Sequence, residues 1–64
     1  MSKMRRGGYV FLTWKGDHGP RHVHVLRDGK FVLKWNLDQQ VSMVGTPSRR
    51  LLDLIAQLDA EGLL

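Results

Sequence analysis

Three histidines stand within seven residues, in the run His18-Gly-Pro-Arg-His22-Val-His24. Imidazole is the side chain best suited to moving protons at neutral pH. On an extended strand His22 and His24 share one face with Cα atoms about 7 Å apart, and His18 lies in a glycine- and proline-containing segment able to fold back over them. Three roles are open to this cluster. In the first, His18, His22 and His24 act as general acid and base in metal-independent RNA cleavage, one deprotonating a 2′-hydroxyl and another protonating the leaving oxygen. Lys15, Arg21, Arg49 and Arg50 would then supply the cations around the phosphate. In the second, the same three imidazoles ligate zinc and leave a fourth position open, with Asp17 nearby as a further donor. In the third, His22 and His24 pack against Leu33 and Trp35 at the edge of the core, and His18 caps its loop.

Arg49-Arg50 is the second feature with chemical content. Cations in the first turn of a helix oppose its macrodipole, yet with the free N–H groups there they make an anion site. Each is equally well placed to pair with Asp53, at i+4 or i+3. Lys3, Arg5 and Arg6 form a basic cluster able to track a phosphate backbone. Trp14 and Trp35 would be stacking platforms for single-stranded bases if exposed, but in so small a domain both are expected in the core.

These groups must be held by few elements. Residues 1–8 are basic and end in two glycines, which reads as a flexible arm, and residues 9–64 as a single domain. YVFLTW at residues 9–14 reads as a strand, and residues 15–21, with two glycines and a proline, as a loop. HVHVLR and KFVLKWNL flank Asp28-Gly29, a dipeptide suited to a two-residue type I′ hairpin turn. That turn predicts a register in which Arg27 faces Lys30, Leu26 faces Phe31, His24 faces Leu33 and His22 faces Trp35. One face would then hold His22, His24, Leu26, Phe31, Leu33 and Trp35, the other Val23, Val25, Arg27, Lys30, Val32 and Lys34. Both contain apolar residues, so either is available to a covering helix. QVSMV at residues 40–44 predicts a short further strand. Thr46 as N-cap and Pro47 at the first helical position predict a helix start, and Gly62 its end. Leu51, Leu54, Ile55 and Leu58 make its apolar stripe. The expected fold is α+β, a small antiparallel sheet of three to four strands packed against one C-terminal helix.

With 64 residues the chain buries only about 60% of its unfolded surface, which disfavours a deep enclosed pocket. The absence of cysteine excludes disulfides and thiolate metal sites and points to a reducing compartment, so cytoplasmic residence is expected. No apolar run approaches the length of a membrane span, and the N-terminus lacks the apolar stretch of a secretory signal. Net charge is +4, favouring an acidic partner. Residues 1–34 hold eight basic and two acidic side chains, whereas residues 35–64 hold two basic and four acidic. Protonation of all three histidines would raise the charge from +4 to +7.

The stretch from Trp14 to Glu61, about three quarters of the chain, resembles the small prokaryotic family named domain of unknown function 4160. Asp17, His18, Pro20, His22 and His24 match its D-H-x-P-P-H-F-H core, and Gly45, Pro47, Arg49 and Arg50 match the glycine, proline and two arginines near its helix. Arg21 stands where a second proline is usual, Val23 replaces an aromatic, and Ser48 separates Pro47 from the arginines. The resemblance implies a stand-alone protein encoded beside a small partner, as in toxin–antitoxin loci. It thereby implies a toxin-like component directed at RNA, or a non-enzymatic, antitoxin-like interaction module that binds the neighbouring gene product. It names no chemistry for the histidines.

Overall fold

The computed structural model describes residues 2–14 and 21–64. The strands β1 (Ser2–Arg6), β2 (Tyr9–Thr13), β3 (His22–Arg27), β4 (Lys30–Asn36) and β5 (Val41–Val44) precede one helix, α1 (Arg49–Ala60). The strands form a five-stranded antiparallel sheet in sequence order, and the α+β class is as expected, with one strand beyond the expected three to four. The additional strand is β1. Residues 2–6, expected as part of a flexible arm, pair along β2 from Ser2 opposite Thr13 to Arg6 opposite Tyr9. Gly7 and Gly8 turn the chain with φ of +62° and +84°, the positive pair that a two-residue hairpin needs.

The hairpin at Asp28-Gly29 forms as expected, with φ positive at both residues and Arg27 opposite Lys30. Its register is not the expected one. Leu26 faces Phe31, but Val25 faces Leu33, so Val32 is an extra residue in β4. A bulge of this kind reverses side-chain alternation beyond it. Leu33 and Trp35 therefore join Val23 and Val25 instead of His24 and His22, which face Lys34 and Asn36. Gly45 (φ +87°) packs against this bulge, and a Cβ there would collide with the Val32 carbonyl oxygen.

The shift decides which face the helix covers. Tyr9, Phe11, Val23, Val25, Leu33 and Trp35 form one buried cluster with Leu37 and with Leu51, Leu54, Ile55 and Leu58 of α1. The helical stripe is thus as expected, and Met4 of β1 packs on the same cluster. The helix begins two residues later than expected. Ser48, not Thr46, is the N-cap, its hydroxyl accepting the Leu51 N–H at 3.1 Å, and Pro47 lies outside the helix. Leu63 N–H donates to Leu58 O and Gly62 N–H to Asp59 O, the Schellman pattern with Gly62 in the left-handed region.

Candidate functional site

Alternation along the strands leaves the second face of the sheet without a covering helix. The register aligns Lys3, Leu12, His24, Lys34 and Val44 in one row across all five strands. A second row holds Arg5, Val10, Leu26 and Phe31. Side chains opposite one another in paired strands point the same way, so these rows define the open face.

Its centre is a cluster of rings. His24 meets Trp14 edge-on at 4.8 Å between centroids, His22 edge-on at 5.2 Å, and Phe31 tilted at 5.7 Å. Trp14 is 39% exposed and Phe31 48%, against 7% for Trp35. Only one tryptophan occupies the core, contrary to expectation, because β2 turns Tyr9, Phe11 and Thr13 toward α1 and leaves Trp14 on the other parity. Phe31 is outside because the bulge at Val32 separates its phase from that of Leu33.

His22 and His24 are side by side on this open face and not against Leu33 and Trp35. Their rings are in mutual contact, so no gap the size of a phosphoryl group separates them. Among the described residues no three imidazole or carboxylate groups gather as a metal site. Lys15, Asp17 and His18 lie outside the described residues.

The arginines divide sharply by face. Arg5 is on the open face, whereas Arg6, its neighbour, turns to the helix and is held through its two terminal guanidinium nitrogens by Glu61, one contact being Arg6 Nη2 to Glu61 Oε1 at 3.0 Å. This bond raises the Arg6 pKa above its ordinary value and lowers that of Glu61 below the usual carboxylate range. Arg21 donates its backbone N–H (2.8 Å) and Nε (3.1 Å) to Asp38, and its guanidinium also lies 3.7 Å from Asp59. Those two hydrogen bonds, the backbone one foremost, hold the Asp38 carboxyl below its ordinary pKa. Leu37 N–H donates to Arg21 O at 2.8 Å, completing a clamp that fixes the start of β3 beside the end of β4 and hence positions His22. Arg27 lies over the Tyr9 ring at 5.5 Å. Arg49 is almost fully exposed and pairs with Asp53 at 3.7 Å. The guanidinium of Arg50 reaches the turn at Gly7.

Charge is segregated in the same way. The five strands contain Lys3, Arg5, Arg6, Arg27, Lys30 and Lys34 and not one carboxylate, since Asp28, Asp38, Asp53, Asp59 and Glu61 sit in turns, in the helix or at its end. Among the described residues, Lys3, Arg5 and Lys34 make no ion pair. Of the three, Lys34 was not singled out from sequence, and neither was Phe31. A hairpin without a bulge puts Phe31 on the His24 face, as the structure does, but puts Lys34 on the opposite one. Near the two hairpin turns, Arg5, Gly8, Val10, Asp28 and Gly29 line a shallow, open depression.

No helix among the described residues is long and apolar enough to cross a membrane. Comparison with protein-family models, with curated proteins and with solved structures gives no match, so the functional reading stands on these residues and their geometry.

Proposed function

We propose that this protein binds RNA across the open face of its sheet. Lys3, Arg5 and Lys34 meet phosphates, and Trp14, His22, His24 and Phe31 meet bases and sugars. The observation that carries this reading is the contrast in cation use. Arg6 and Arg21 on the helix side are neutralised by Glu61, Asp38 and Asp59, while the open-face cations flank a ring cluster with no carboxylate in any strand. A cationic surface interleaved with aromatic rings is the arrangement that holds a nucleic-acid strand.

The imidazoles serve here as contact groups. His22 and His24 touch each other edge-on, whereas an acid and a base working on one phosphodiester stand on opposite sides of it. The partner protein implied by the family resemblance is compatible with this role and adds nothing to its geometry.

The test is fluorescence anisotropy of a 5′-labelled oligouridine at several salt concentrations. Three phosphate contacts on a single strand predict that log K falls with log[salt] with a slope of about −2. Replacing Lys3, Arg5 and Lys34 together by glutamine should bring that slope near zero and leave the melting temperature unchanged. An unaltered slope in the triple variant would reject the assignment.

A further inference from the structure

Within that RNA-binding reading, we infer that the ligand is a single-stranded segment whose bases stack on a platform running from Trp14 through His24 to Phe31, about three nucleotides long. The inference rests on the proposed function and names its substrate class. Trp14, His24 and Phe31 lie just past the end of β2, on β3 and on β4, so their chain of contacts crosses the strands. Each of its two arms, 4.8 and 5.7 Å between centroids, exceeds one stacked-base step of about 3.4 Å and is shorter than two. Three bases, one on each ring and spread wider than in a stack, therefore span it.

The cations fall on both sides of this platform. Lys3 and Lys34 share the His24 row, three strand spacings apart, which is about 14 Å between their Cα atoms at roughly 4.8 Å per spacing. Arg5 adds a second cation on the β1 side. A flexible strand can splay its bases onto the central rings and hold its phosphates toward these two flanks. A duplex cannot, because its bases are stacked inside and an A-form helix offers a flat protein face mainly its sugars and phosphates. Stacking is also tolerant of base identity, since every base has a π-face. The site should accordingly discriminate strandedness much more than sequence.

The experiment compares labelled single-stranded oligouridines of two, three, four and eight nucleotides with an eight-base-pair RNA duplex, all at one low salt concentration. Affinity should rise up to about three or four nucleotides and then level off, and the duplex should bind at least tenfold more weakly than the octamer. Phe31→Ala, at an exposed position, should lower octamer affinity about tenfold with the melting temperature retained. Trp14→Ala should do the same, and Trp14→Phe should restore most of the loss. Equal binding of duplex and single strand, or octamer affinity indifferent to both ring substitutions in folded protein, would overturn the inference while leaving a charge-based RNA site intact. Failure of every oligonucleotide to bind would instead remove the RNA reading beneath it.

Discussion

The two faces of this sheet are built from the same strands by alternate residues, yet they solve opposite problems. The covered face is closed in every respect: Phe11, Val23, Val25 and Leu33 are fully buried under α1, and Arg6 and Arg21 at its margin are held by carboxylates. The open face, among the described residues, has comparable apolar and aromatic content and three cations, but no helix over it and no carboxylate in its strands. A sheet needs only one buried face to fold, so the second can be given over to a ligand. The proposed RNA site accordingly lies where the fold has no use for the residues it displays.

Neighbouring positions test that division most strongly. Phe11→Ala removes a side chain with no exposure and should cost about 3–5 kcal/mol, enough to unfold a chain this small. Lys3→Gln, opposite its neighbour Leu12, should change stability by less than about 0.5 kcal/mol. Urea denaturation followed by circular dichroism reads both. A similar cost for the two would mean that the open face is itself structural.

The phase of β4 gives the next largest effect. Gly45→Ala would place a methyl group against the Val32 carbonyl at a φ of +87° and should destabilise by about 1–3 kcal/mol. If the bulge itself relaxed, Leu33 would come opposite His24 and Lys34 would leave the open face, visible as new Leu33 contacts to His24 in NOE spectra. Ser48→Ala, by contrast, removes one cap hydrogen bond beneath the helix and should cost about 1 kcal/mol without touching RNA affinity. A drop in affinity would tie the helix start to the site.

The smallest effect concerns the carboxylates that close the covered side. Asp38 and Glu61 titrate below their ordinary values because of Arg21 and Arg6. Folded-state pKa values lower than unfolded ones contribute stability above roughly pH 4 that is lost as pH falls through the folded values. Stability should therefore decline below about pH 4, and Asp38→Asn with Glu61→Gln should flatten that part of the profile. Both ion pairs are exposed, so the change is modest and weakens further in salt.

How much of this was legible in the sequence follows from how local each signal is. Asp28-Gly29 and the Leu51, Leu54, Ile55, Leu58 stripe are local patterns, and both elements are where they were expected. The N-terminal strand had its own local signal, a Gly-Gly dipeptide between a basic run and YVFLT, overshadowed by the polarity of residues 2–6. The helix start was expected at Thr46, before a proline, and Ser48 caps it instead through the hydroxyl that reaches Leu51. The bulge at Val32 had no local signal, because it depends on contacts between β4 and Gly45, twelve or more residues further along. Since it sets which side chains share a face, the histidines were recognisable as a cluster while their partners on β4 beyond the bulge were not. Phe31 was already expected beside His24, whereas Trp14 was expected in the core and Lys34 on the other face.

The most direct test of the account is an NMR titration of uniformly labelled protein with oligouridine, following backbone amides together with the indole and imidazole signals. The account predicts shifts concentrated at Lys3, Leu12, Trp14, His24, Phe31 and Lys34, with the Arg49 and Arg50 end of the helix and the Arg21 clamp unaffected. Shifts confined to the helix start, or to Arg6 and Arg21, would contradict it.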